Sequence, residues 1–165
     1  MTRAQKLLLT LTTLLLALTG IAYAVFKYLG ADLASRFPSL FPSPDDAFTA
    51  IHHPLEPWTL DLHVLAAPAL VFAFGWIFKD HILAKLATPG APVRRSGIAG
   101  IVLFVPMVAS GYLLQVVTNE SLHALLVVLH LGSGALFAGT YIVHLVLAPK
   151  RPLKNGGGSA ASRLR

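Results

Sequence analysis

The chain contains no cysteine in its 165 residues. This absence excludes disulfide bonds, thiolate metal sites, iron–sulfur clusters and covalently attached c-type haem. Charged residues are scarce, at 12%, whereas hydrophobic residues make up 55%, which is not the composition of a soluble domain. The formal charge of +6 would suggest a nucleic-acid partner in a soluble protein, but here the charges lie between long apolar runs. We therefore expect a membrane protein that contacts lipid and binds no nucleic acid.

Four apolar stretches are long enough to cross the hydrocarbon core, which takes about 20 residues in a helix. They predict an all-α membrane protein, a four-transmembrane-helix bundle over residues 1–153, with a flexible tail over 154–165. The expected spans are about 7–28, 58–86, 96–117 and 121–148. The first stretch is longer than a secretory signal and is interpreted as a span. The run Ser43-Pro44-Asp45-Asp46 has the order of a helix start and predicts a short outer-face helix over about 44–52.

The basic residues are distributed unevenly between the two sides of the predicted bundle. Eleven of the 13 precede the first span, lie between the second and third spans, or follow the fourth, and six of the seven acids lie on the other side. Cytoplasmic loops carry the excess of lysine and arginine in membrane proteins. Both termini are therefore expected to be cytoplasmic.

Histidines occur in only two of the predicted spans. His63 and His81 are 18 residues apart in the second span, so an α-helix places them on one face, roughly 27 Å apart along its axis. His130 and His144 are 14 apart in the fourth span, also near one face and roughly 21 Å apart. Each helix thus offers one imidazole near each end. This arrangement suits two bis-histidine haems, with His123 left open as an alternative to His130.

The assignment that follows pairs His63 with His130 near the outer face and His81 with His144 near the inner face, as ligands of haem iron. Gly134 and Ala67 lie close to the outer histidines and give room for haem packing. A lone histidine in a span is often only a hydrogen-bond link between helices, but intramembrane ionisable groups are costly and indicate function. Small residues of the third span, including Ser96-Gly97 and Ser110-Gly111, are interpreted as helix-packing positions without chemistry.

The histidine pattern resembles that of the bacterial inner-membrane di-haem cytochrome b superfamily. That group includes four-helix b-type cytochromes and the b-type membrane subunits of formate dehydrogenases and hydrogenases. The resemblance covers about 58–148 and rests on the four span histidines and on the stretch Ser110-Gly111-Tyr112-Leu113. The chain departs from several of these families, which place a ligand in the first helix, because its first span contains no histidine.

The resemblance implies two haem b groups in a bacterial inner (cytoplasmic) membrane protein. It also implies transmembrane electron transfer between a quinone pool and a redox partner on the periplasmic face, such as a cytochrome or dehydrogenase. An electron-transfer subunit is favoured over an independent enzyme, and no catalytic residue is assigned. The candidate partners of the haem propionates are the inner cations Lys79, Lys85, Arg94 and Arg95. The candidate residues for quinone binding or docking are His53, Glu56 and Trp58.

Three alternatives remain open. The first alternative is a stand-alone quinol oxidoreductase of the same fold. The second is a haem-free anchor or assembly subunit whose histidines only link helices, and the third is a transition-metal carrier. The lack of cysteine and the presence of only two methionines disfavour the carrier, because soft-metal paths favour these ligands. Activity of the isolated chain with quinol separates the first alternative from a subunit, and haem content separates the second.

Overall fold

The computed structural model of the protein describes residues 1–40, 53–87 and 94–147, and this part of the chain is almost wholly helical. Four helical stretches are long and apolar enough to cross a membrane. They are called the first to fourth spans below and comprise Arg3–Arg36, Glu56–Leu86, Arg94–Leu113 and Glu120–Leu147. The prediction of a helical chain with four helices long and apolar enough to span a membrane is confirmed for the described residues. The outer-face helix expected over about 44–52 and the tail from 154 lie outside the described residues.

The first span is longer at both ends than its apolar run suggested. It begins with a capping box, in which the Thr2 hydroxyl accepts from Gln5 N at 3.2 Å and the Gln5 side chain accepts from Thr2 N at 2.8 Å. At the other end an ion pair between Arg36 and Asp32, one turn apart at 3.2 Å, lies in the last turns. Hydrophobicity alone does not detect these polar ends, so the predicted boundary near residue 28 fell short of Arg36.

The second span changes helix type before it ends. Its α-helix, Glu56–Ile77, has Pro57 in the first turn, where proline is tolerated because no backbone donor is needed there. A π-helical segment, Phe78–Leu83, follows, and a final α-helical turn, Ala84–Leu86, completes the span. A π-helix bonds residue i to residue i+5 and therefore has a wider turn than an α-helix. The wheel that aligned His63 with His81 assumed an unbroken α-helix, so it does not hold through this segment.

The four spans form two helical hairpins. The first span packs mainly against the second, and the third packs mainly against the fourth. Aromatic rings join the two hairpins, with Phe74 stacked on Phe104 at 3.9 Å and Phe104 tilted against Phe137 at 5.7 Å. Most other large apolar side chains, such as Leu65 and Val128, point outward, which suits contact with lipid tails.

Candidate functional site

His63 lies against the first span rather than in open space. Its Nδ1 is 3.1 Å from the carbonyl oxygen of Leu16 and 3.1 Å from the hydroxyl of Thr19. Its ring rests on Gly20, where an added Cβ would come within 3.0 Å of Cε1. The sequence Thr19-Gly20 therefore supplies both a polar partner and the space for this imidazole. Of the two ring nitrogens, Nε2 is the farther from the glycine, at 3.9 Å from the built Cβ.

The hydrogen bonds around His63 fix which nitrogen bears the proton. The Thr19 hydroxyl already donates to Leu15 O at 2.8 Å, in its own helix, so its oxygen can only accept from the histidine. The Leu16 carbonyl is an acceptor by nature. Nδ1 must therefore carry the hydrogen, and in the neutral ring Nε2 keeps its lone pair. That is the state in which an imidazole binds a metal through Nε2.

His130 repeats this arrangement in the other hairpin. Its Nδ1 is 2.9 Å from Met107 O and 3.4 Å from the Ser110 hydroxyl. That hydroxyl already donates to Pro106 O at 2.6 Å, so the same argument assigns the hydrogen to Nδ1. The ring lies on Gly111, where an added Cβ would be 2.8 Å from Cε1. The histidines of two different helices are thus each oriented by a hydroxyl residue followed by a glycine on the neighbouring helix.

The two anchored rings face one another across the bundle. The centroids of His63 and His130 are 6.0 Å apart, and the rings are nearly perpendicular, at 89°. Two imidazoles bound to one metal at about 2.0–2.1 Å each have centroids roughly 6 Å apart, because each nitrogen lies at the edge of its ring. His123, one of the first residues of the fourth span, is exposed. The geometry therefore brings His130, not His123, to His63.

A bare metal ion is a poorer fit to this pair. In the described ranges there is no group of three or more histidine, cysteine, aspartate or glutamate residues that could hold one. A bound ion such as zinc takes three or four protein ligands. A haem needs only axial ligands from the protein, because the macrocycle supplies the rest. Two opposed imidazoles with Nε2 lone pairs and no carboxylate fit that requirement.

His144 lies near the C-terminal end of the fourth span and has a related environment. The side of the bundle on which this end lies is called inner below, and the opposite side outer, as the sequence predicts. Its Nδ1 is 3.0 Å from the Ser96 hydroxyl, and a Cβ built on Gly97 would be 3.7 Å from its Cε1. Ser96-Gly97 and Ser110-Gly111 are 14 residues apart, as are His144 and His130. Because the third and fourth spans run side by side, this equal spacing gives both histidines of the fourth span a hydroxyl and a glycine.

His81 differs from the other three span histidines. It lies within the π-helical segment, is half-buried, and is within electrostatic range of His144, Lys85 and the amino group of Met1. Among the described residues its ring has no hydrogen-bond partner. Of the two histidines at this end of the bundle, only His144 is held by a hydroxyl.

The aromatic contacts separate the outer and inner histidines. Phe74, Phe104 and Phe137 each lie between the histidine levels along their own spans, and Phe137 continues to Tyr141 at 6.4 Å between centroids. The Tyr141 hydroxyl is 2.8 Å from that of Thr10, which joins the fourth span to the first. The interior is therefore organised as two histidine levels with an apolar layer between them.

The other predicted cofactor residues have mixed positions. A Cβ on Gly134 would meet Met107 at 3.9 Å, so this glycine serves the contact between the third and fourth spans. Ala67 is partly buried and packs against the core. The side chains of Lys79, Lys85 and Arg95 are exposed, whereas that of Arg94 is outside the described part.

The predicted quinone or docking residues lie near the outer ends of the first two spans. His53 stacks on Phe26 at 4.1 Å with an interplanar angle of 2°, and its Nδ1 accepts from Leu55 N. Glu56 is buried and forms an ion pair with Lys27 at 3.5 Å. Trp58 is 71% exposed, as an interfacial aromatic anchor would be. The structure therefore brings His53 and Glu56 against the first span and leaves Trp58 facing outward.

Sequence reasoning missed the residues that orient the imidazoles. Thr19-Gly20 lies in a span that contains no histidine, and the two Ser-Gly pairs of the third span were assigned to packing alone. A usable signal was present, because a hydroxyl residue followed by glycine occurs at 96–97 and 110–111 with the same spacing as His130 and His144.

Comparison of the chain with protein-family models, with curated proteins and with solved structures finds no match. The functional assignment therefore depends on the residues and their geometry.

Proposed function

We propose that the protein is a b-type di-haem electron-transfer protein or subunit of a bacterial inner membrane. His63 and His130 are the axial ligands of an outer haem, and His81 and His144 are those of an inner haem. The observation that carries the proposal is the opposed His63–His130 pair, with centroids 6.0 Å apart and both Nδ1 atoms committed to a neighbouring helix.

The anchoring contacts support a cofactor role over a purely structural one. A histidine that only links two helices uses its ring nitrogens for that link. Here each ring uses only Nδ1 for such a link, and the link lies within its own hairpin: His63 contacts the first span and His130 contacts the third. The Nε2 atoms are left for a shared ligand between the hairpins. Metal-bound histidines almost always donate their second N–H to a carbonyl or similar acceptor, as both of these do.

When bound, haem supplies the reversible one-electron chemistry, and the protein sets ligand orientation, polarity and access. His63 and His130 would hold the iron through Nε2, with Leu16 O and Met107 O fixing the ring tautomers. The exposed cations Lys79, Lys85 and Arg95 are suited to anionic propionates at the inner end, because charge-assisted hydrogen bonds to carboxylates are strong. Haems at the two histidine levels would carry electrons across the membrane between a quinone pool and a periplasmic partner. Both termini would be cytoplasmic.

The competing function is a haem-free membrane anchor. In that function the histidines only link helices, which gives no reason for imidazoles that rest on glycines at 2.8 and 3.0 Å from a built Cβ. A stand-alone quinol oxidoreductase would share the haem sites, so turnover of quinol by the isolated chain separates it from an electron-transfer subunit.

The first experiment is haem stoichiometry on the purified chain from haem-replete cells, by pyridine haemochrome and reduced-minus-oxidised spectra. We expect two b haems per chain, and one after His130→Ala, because the outer iron loses an axial ligand. A folded preparation without haem would refute the proposal.

The matched control is His123→Ala, which removes a histidine from the same helix seven residues away. Since His123 is exposed and lies about two helical turns before His130, this variant should keep both haems. Loss of a haem from His123→Ala with retention in His130→Ala would reverse the ligand assignment.

A further inference from the structure

The inner histidine pair lacks the symmetry of the outer pair. At the outer level both hairpins contribute a histidine that is bonded through Nδ1 and seated on a glycine. At the inner level only His144 has a hydroxyl partner, Ser96. The ring of His81 has no hydrogen-bond partner among the described residues. His81 also belongs to the π-helical segment, whereas the other three span histidines are in α-helices.

The spacing of residues in the first hairpin explains why the inner level differs from the outer level. In the second hairpin the Ser-Gly pairs and the histidines both repeat after 14 residues. Fourteen residues after His63 is Ile77, a buried core residue, and fourteen before Thr19 is Gln5, which is used in the capping box. The inner half of the first hairpin therefore has neither the hydroxyl-glycine pair nor the histidine at the matching position.

His81 comes four residues later, where the helix has widened. Ring contacts in the described part join His63 to His130 but include none for His81. A ligand without an acceptor for its second N–H is less basic and less firmly oriented, and outer partners of this kind typically contribute 10–100-fold to metal affinity. π-Helical segments also occur frequently at functional sites, where they change the position of a side chain.

We propose that the inner haem is held firmly by His144 and weakly by His81, so that a small neutral diatomic ligand displaces His81 from the reduced iron. In this exchange the bond from iron to the His81 nitrogen breaks and a bond from iron to the diatomic forms, without net electron transfer. The outer haem, whose two histidines are both anchored, does not exchange. The inference rests on the proposed function, because it requires that the inner pair binds haem.

The test uses carbon monoxide as the probe on the full chain after chemical reduction, with the haem content measured first. We expect carbon monoxide to bind one of the two haems, with at least about tenfold weaker binding at the other. The carbon monoxide spectrum should persist in His130→Ala, which removes the outer site. His81→Ala should lose less of its inner haem than His144→Ala, and the inner haem that it keeps should bind carbon monoxide more tightly because no second histidine competes for the iron.

Several results would overturn the inference while leaving the di-haem proposal in place. These are two haems that both resist saturating carbon monoxide, a carbon monoxide spectrum that disappears in His130→Ala, or equal loss of the inner haem from His81→Ala and His144→Ala. A single haem in the wild-type chain that His144→Ala retains would also overturn it. A folded wild-type chain without haem would refute both proposals, so the two failures are distinguishable.

Discussion

The outer and inner histidine levels are made from the same residue type but are supported differently. The outer level uses Thr19-Gly20 and Ser110-Gly111, one pair from each hairpin, and each imidazole has a backbone carbonyl and a hydroxyl beside Nδ1. The inner level has one such pair, Ser96-Gly97, and a second histidine on a π-helical segment. The comparison shows that neighbouring helices orient both rings at the outer level but only one ring at the inner level.

The largest expected effect comes from substituting alanine for the two glycines on which the outer imidazoles rest. Gly111→Ala places a methyl group where a Cβ would be 2.8 Å from Cε1 of His130, and Gly20→Ala does the same at 3.0 Å from Cε1 of His63. The ring must move because the conflicting atoms belong to a hydrogen-bonded imidazole. Such overpacking typically costs about 1–3 kcal/mol. We expect loss of most of the outer haem from Gly111→Ala and a smaller loss from Gly20→Ala, measured by pyridine haemochrome.

Two glycines provide matched controls for this series. A Cβ on Gly97 would be 3.7 Å from His144, an ordinary contact, and one on Gly100, in the same helix as Gly111, would meet nothing within 4 Å. Gly97→Ala and Gly100→Ala should therefore keep both haems, and alanine should favour the helix by roughly 0.5–1 kcal/mol. Equal haem loss from Gly100→Ala and Gly111→Ala would show that the glycines serve only helix packing.

The sequence is sufficient to predict the spans and the histidines that face inward, but not the way the rings are held. Apolar runs and 3.6-residue periodicity identify the four helices and place His130 and His144 on one face. They do not reveal that Thr19, 44 residues before His63, lies beside it, because this contact depends on how the first two spans pack. The π-helical segment was also unpredictable, since periodicity assumes one helix type and a local widening leaves no compositional signal.

A smaller effect is expected from the hydroxyls of the outer level. Thr19→Val keeps the shape of the side chain but removes one acceptor of the His63 Nδ1 hydrogen, while Leu16 O remains at 3.1 Å. Interhelical hydrogen bonds in membranes average about 0.6 kcal/mol. For a one-electron couple this corresponds to about 25 mV. The imidazole becomes a poorer electron donor to the oxidised iron, so the midpoint potential of the outer haem should rise by at most that amount, with the haem retained.

Potentiometric titration with optical detection measures this shift, and Thr19→Ser is the rescue variant because it restores the oxygen. A return of the potential in Thr19→Ser would identify the hydroxyl as a positioning group. The same rise in Thr19→Ser and Thr19→Val would instead show that the hydroxyl does not set the potential, because Thr19→Ser keeps it. Loss of haem from Thr19→Val alone would mean that Leu16 O is not a sufficient anchor.

The smallest effect concerns the link between hairpins at the inner level. The Thr10 hydroxyl donates to Lys6 O at 2.8 Å, so the 2.8 Å contact with Tyr141 is a bond donated by the tyrosine. It is the one side-chain hydrogen bond between the two hairpins in the described ranges. Tyr141→Phe removes the donor and leaves Thr10 bonded within its own helix, so the free energy of unfolding should fall by only about 0.6 kcal/mol.

Thermal unfolding in detergent, followed separately at the two haem spectra, checks this prediction and tests the comparison of the two levels. If the outer level is held within each hairpin, Tyr141→Phe should leave its spectrum and stability unchanged and should affect only the inner haem, whose His144 lies one turn from Tyr141. A destabilised outer haem would mean that the hairpins act as one rigid unit. In that case the weak support of His81 would be compensated by the packing of the whole bundle.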